Sequence, residues 1–163
     1  MNGTNLLWVW TKQFFTNDIL WFSMLSNILA QLIKVLVNYI HTNKIDFRLA
    51  LSTGGNPSSH TATVTTLTVI LGARYGFNSP YFTIAFITAG IVIIDALNVR
   101  REVGEHSKTM NEIFLETSWG KKIAELIDVK TFKELVGHTG SEVTAGFILG
   151  VIVAIIDILI FNK

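Results

Sequence analysis

The stretch from Pro80 to Val99, PYFTIAFITAGIVIIDALNV, decides the fold. It carries no charge before Asp95, and its large apolar residues follow one another without a polar face between them. A helix that is apolar all round is buried in protein or in lipid. About 20 such residues, rising about 1.5 Å each, cross the hydrocarbon core of a bilayer. Working outward, Ile19 to His41 and Val143 to Phe161 read the same way, and Ser59 to Tyr75 nearly so. The last of these is short and rich in threonine, which a membrane helix tolerates because the hydroxyl bonds back to its own backbone. The fold class that follows is all-α: a polytopic membrane helical bundle of about four transmembrane helices. No Pro/Ser linker, low-complexity stretch or internal repeat divides residues 1–163, so a single membrane-embedded domain is expected. A soluble bundle with fully buried core helices is the competing reading of the same runs.

Composition points the same way, with 50% hydrophobic against 15% charged residues. The absence of cysteine excludes disulfides, zinc-thiolate sites and a thiol nucleophile. A net charge of +1 gives no reason to expect nucleic acid. From Met1 to Asn17, Trp8, Trp10, Phe14 and Phe15 surround a single Lys12. That is too aromatic and too weakly basic for a cleaved signal peptide, and it suits an interfacial segment at headgroup depth. The stretch from Thr109 to Val136 reads as a partly helical, amphipathic loop through Ile113, Phe114, Trp119, Ile123, Leu126 and Ile127.

Four crossings put the loops 42–58 and 100–141 on one side, with 74–79 and both termini on the other. Outside the spans, the first side holds Lys44, Arg48, Arg100, Arg101, Lys108, Lys121, Lys122, Lys130 and Lys133, and the second only Lys12, Arg74 and Lys163. The positive-inside rule then places the first side in the cytoplasm.

Three polar stretches fall on that side, at the mouths of helices. In Gly54-Gly55-Asn56-Pro57-Ser58-Ser59-His60-Thr61, the glycines allow a tight turn, Pro57 is preset for a first helical turn and the serines can cap the helix. Free N–H groups and the positive dipole end favour an anion there, although a capped helix start with nothing bound has the same sequence. The second stretch runs from Asp95 through Asn98, Arg100, Arg101 and Glu102 to His106 and Asn111. Adjacent arginines either anchor a helix to anionic headgroups or hold a phosphate bidentately. Asp95, ionisable within a span, calls for Arg100 or Arg101 as its partner. In the third, Gly137-His138-Thr139-Gly140-Ser141-Glu142, Glu142 lies one turn beyond His138 and can orient its imidazole, leaving the other nitrogen nucleophilic. Thr139 and Glu142 also have the spacing of a capping box. Lys34, within the first span, lies close enough to its end for the amine to snorkel toward the same side.

In this order the stretches resemble the divergent branch of the type-2 phosphatidic acid phosphatase and vanadium haloperoxidase superfamily. Pro57-Ser58-Ser59-His60 is similar to the superfamily's P-S-G-H, and His138 with Glu142 to its H-x-x-x-D. The divergent branch is matched by Gly-Gly-Asn-Pro-Ser-Ser-His, by Asp95 through Val99-Arg100-Arg101 and Gly104 to Asn111, and by Gly-His-Thr with Glu142, Val143 and Gly146. The resemblance covers roughly residues 30 to 150. It implies that His138 attacks phosphorus, Glu142 orients it, His60 protonates the leaving oxygen and basic side chains neutralise the phosphate, without a metal or other cofactor. The sequence departs from the superfamily pattern where Phe132 stands six residues before His138 in place of an arginine, so Arg100 or Arg101 would substitute. Lys34, Lys44 and Arg48 compete for the first-motif roles.

The expected protein is thus an integral, multi-pass membrane phosphatase acting on a lipid phosphate or pyrophosphate, its active face cytoplasmic and its partners the bilayer and an anionic lipid. The expected site comprises His138, His60 and Glu142 for catalysis, and Ser58, Ser59, Arg100, Arg101, Lys34 and Arg48 for phosphate. Asp95 and Asn98 serve as structural or charge partners. A non-catalytic lipid-phosphate binder or transporter uses the same features, a metal-assisted site on Asp95, Glu102 and His106 is a third reading, and a homo-oligomer stays open.

Overall fold

The computed structural model describes residues 3–47, 49, 54–127, 131–132 and 137–161; Arg48, Lys130, Lys133 and Lys163 lie outside them. The described residues form helices and no strands. α1 (Gly3–Phe15) presents Trp8, Trp10, Phe14 and Phe15 on its surface. α2 (Asp18–Thr42) starts where the Asn17 side chain accepts the Leu20 N–H and ends on Asn43 in the left-handed conformation. α3 (Ser59–Tyr75) begins at Ser58, whose hydroxyl accepts the Thr61 N–H. Pro57 therefore precedes the cap instead of occupying the first turn. α4 (Pro80–Ile94) has Ser79 as N-cap and Pro80 in its first turn, where the missing N–H costs nothing. α7 is Gly140–Phe161.

Three of these helices are long and apolar enough to cross a membrane: Asp18–Thr42, Pro80–Glu116 and Gly140–Phe161. The protein is thus a helical membrane bundle, with three such helices among the described residues where about four were expected. The difference is α3. It has the expected bounds, but its 17 residues are rich in threonine. Its environment explains this, because α2, α4 and α7 all pack against it. Asn27 of α2 donates to Thr63 and Gln31 donates to Ser59, while the Thr66 hydroxyl donates to the Gly150 carbonyl of α7. A helix walled in by others needs little lipid-compatible surface.

α7 lies directly on α3. A Cβ added at Gly146 would strike the Ser58 carbonyl, and one at Gly150 would sit 2.6 Å from the Ala62 carbonyl. Gly146, Gly150 and Ala154, one turn apart, form the small-residue stripe that lets two membrane helices approach to backbone contact. At the far end Arg74 ties three helices together, reaching Asp18 at 2.7 Å and the fully buried Asp157 at 2.6 Å. Asp157, inside the last apolar run, is thereby matched to a cation.

The segment after Val99, expected as a loop with a partly helical, amphipathic stretch from Thr109, is helical from its start. α4 continues through a π-helical turn, Asp95–Val99, into α5 (Arg100–Asn111), and a second π turn, Glu112–Glu116, leads to α6 (Ser118–Ile127). α6 is amphipathic, with Trp119, Ile123, Leu126 and Ile127 exposed and Gly120 packed beneath the Ile113 carbonyl.

Candidate functional site

The end of the bundle opposite Arg74 is built by the starts of α3 and α7 and the π turn after α4. Ser58 is at its centre. Its hydroxyl caps α3, and its N–H donates to the Glu142 carbonyl at 2.9 Å, which sets the first turns of α3 and α7 side by side. His60, in the first turn of α3, and His138, just before α7, are brought together with ring centroids 6.1 Å apart.

His138 is fixed by its backbone and its ring. Its N–H donates to the Ala96 carbonyl at 3.0 Å, within the π turn. The preceding Gly137 has φ +92°, and a Cβ there would meet the Arg100 and Arg101 backbone. Only glycine allows both that conformation and that approach. The ring is buried, and Nδ1 lies 3.0 Å from Glu142 Oε2. The same carboxylate oxygen accepts the Thr139 N–H at 3.1 Å, while Thr139 Oγ1 accepts the Glu142 N–H at 3.4 Å. The capping box and the imidazole-carboxylate pair therefore coexist. With Nδ1 facing the carboxylate, the proton belongs on Nδ1 and Nε2 carries the lone pair. His138 Nε2 and His60 Nδ1 are both buried without a hydrogen-bond partner. Burial lowers the His138 pKa below the ordinary 6.5, the Glu142 bond and charge pull it back up, and Lys34 and Arg100 lower it further.

Of the expected phosphate ligands, Arg100 lines a cavity with His60 and bonds Asp95 through Nε at 2.6 Å. Asp95 is thus partnered by Arg100, and this bond leaves the terminal guanidinium nitrogens to other uses. Arg101 is exposed and lines a second cavity of about 390 Å³ with His138, Glu142, Lys108 and the Gly54-Gly55 turn. Lys34 does not snorkel to the surface. Only 4% exposed, it is buried behind Gly55, whose φ of +95° folds the turn over the lysine stem. Ser59 is buried, its hydroxyl accepting from Gln31. Asn98 is exposed on the π turn. Arg48 lies outside the described residues, and among those residues no three of His, Asp and Glu gather to hold a metal ion, as Asp95, Glu102 and His106 would have to.

Two features escaped the sequence reading. The Ala96 carbonyl anchors His138, and a π turn has no residue signature to announce it. Asn111 pairs with the backbone of Phe132 in both directions, each bond 2.9 Å, and so holds Phe132 against α5.

Residues 15–153 match the family described as the divergent PAP2 family. The chain is similar to the uncharacterized membrane protein YuiD of Bacillus subtilis (strain 168), with 36% identity over 148 residues that cover 86% of this chain and 94% of the relative. No solved structure matches it. The matched span contains the facing histidines, Glu142, both arginines and all of the site-end turns, and the protein belongs to the divergent PAP2 family.

Proposed function

We propose that the protein is a membrane phosphatase that hydrolyses a lipid phosphate or pyrophosphate through a phosphohistidine intermediate. The observation that carries this reading is the pair of neighbouring imidazoles, ring centroids 6.1 Å apart, each with a buried nitrogen lacking a partner. In the proposed complex one phosphoryl group lies between the two rings. In the first step His138 Nε2 attacks phosphorus, the bond to the leaving oxygen breaks, and His60 gives that oxygen its proton. In the second, water attacks phosphorus and cedes a proton to His60, the P–N bond breaks and phosphate departs. Glu142 keeps the His138 ring aligned and balances the positive charge that forms on it.

Arg100, Arg101 and Lys34 supply positive charge around the transferred group, where it stabilises the transition state. Arg48 is assigned the same role. Ser58 and Ser59 act through the α3 N-terminus they open, whose first N–H groups favour an anion. The excess of Lys and Arg at the site end supports a cytoplasmic active face.

The test is phosphate release from polyprenyl and glycerolipid phosphates by the purified protein. His138→Ala is expected to abolish it; full activity in that variant contradicts the assignment. One observation favours a second reading. Position 132 carries phenylalanine, with its backbone engaged by Asn111, so no guanidinium reaches the site from there. Saturable binding of lipid phosphates without any release across the panel would make the protein a lipid-phosphate binder or transporter.

A further inference from the structure

The line along which α3 packs on α4 runs from the site end along the bundle. At its site end a cavity of about 260 Å³ is lined by His60, Asp95 and Arg100 together with Ile91, Val92 and Ala96. Deeper, a second cavity of about 210 Å³ is lined by Leu67, Leu71, Ile84 and Thr88, with Tyr81 at its far end. Both belong to one surface. Tyr81, Ile84, Thr88, Ile91 and Asp95 recur at three- and four-residue spacing and therefore share a face of the α4 helix. His60, Leu67 and Leu71 do the same on α3. From Asp95 to Tyr81 the groove extends about 21 Å along the helix axis. One leaflet of the hydrocarbon core is about 15 Å deep.

We infer that one hydrocarbon chain of the lipid phosphate lies in this groove, with its phosphate end between His60 and His138, on the side of Arg100. The inference rests on the phosphatase reading and adds the direction in which substrate lies. Charge and apolarity are distributed as such a ligand requires: a cation and an imidazole at one end, then apolar side chains for the depth of a leaflet. The chemistry also fits. His60, which protonates the leaving oxygen, faces the groove, whereas His138 faces the polar cavity with Arg101, Glu105 and Lys108. In-line attack by His138 then expels the lipid alcohol toward the groove, while water and the freed phosphate use the polar side.

Thr88 is a suitable position for a test, being about 10 Å along α4 from Asp95 and outside the phosphate site. Thr88→Trp fills the groove. Relative to wild type it is expected to lower kcat/KM at least about tenfold on a long-chain lipid phosphate in mixed micelles, and less than about twofold on p-nitrophenyl phosphate, because the chain's binding energy is lost only where there is a chain. Parallel loss on both substrates, or no loss on either, overturns the groove. If wild type hydrolyses neither substrate the phosphatase reading fails alone, and the groove is tested by photolabelling with a diazirine-tagged long-chain lipid phosphate. Labels are then expected within 67–71 and 84–91 and absent from Thr88→Trp, whereas labels spread over α2 and α7 refute it.

Discussion

At the residue scale, Glu142 determines what His138 can do. Its Oε2 serves the imidazole and the Thr139 N–H together, so the residue that starts α7 also sets the tautomer of the proposed nucleophile. In the proposed mechanism the deprotonated imidazole is the active form, and the rate is expected to fall as pH drops through its pKa, which burial keeps below 6.5. Because Glu142 favours the protonated form, Glu142→Gln is expected to push that acid limb to still lower pH while reducing kcat on the order of 10²-fold through loss of ring alignment. A pH profile of kcat/KM with unchanged rate and an acid limb at or above 6.5 contradicts this. Both roles of Glu142 were legible in the sequence, since i,i+3 and i,i+4 relations follow from helix geometry alone. The burial of Lys34 was not legible, for the opposite reason. What holds it inside is a turn twenty residues later in the chain, and spacing within a helix carries no information about that.

At the element scale, α7 and α3 are pressed together until their backbones touch, and this contact places His138 opposite His60. Gly150→Leu must push side-chain atoms into Ala62 and Thr65, whose atoms lie 2.6 Å and 2.8 Å from an added Cβ. Overpacking of this kind costs about 1–3 kcal/mol. The thermal midpoint of the detergent-solubilised protein is expected to fall and phosphate release to fall with it, and an unchanged midpoint counts against close packing. The glycines were visible in the sequence, yet nothing there says which helix they face. The helical continuation of α4 was misjudged because Arg100, Arg101 and Glu102 look like the end of a span, whereas the helix passes through a π turn and continues beyond the apolar run. Strong apolar runs fixed the helices that meet lipid; α3, which meets mainly protein, was the one whose sequence only nearly qualified.

At the scale of the molecule, the bundle has two chemically distinct ends. Arg74, Asp18 and Asp157 close one with matched charge, and the histidines, Glu142 and basic residues occupy the other. α3 connects them, and the site end and the α3–α4 turn are expected on opposite faces of the bilayer. The chain has no native cysteine, which makes the test direct. Asn78→Cys and Ser141→Cys are expected to react with a membrane-impermeant thiol reagent from opposite sides, and labelling from the same side contradicts the crossing. Above all, in the proposed mechanism phosphorus passes through the nitrogen of one histidine. Acid-labile, base-stable label should therefore be trapped from a ³²P-lipid phosphate during turnover, map to the peptide containing His138, and be missing in His138→Ala. Turnover at full rate with no phosphohistidine, or label carried by His60 instead, would contradict it.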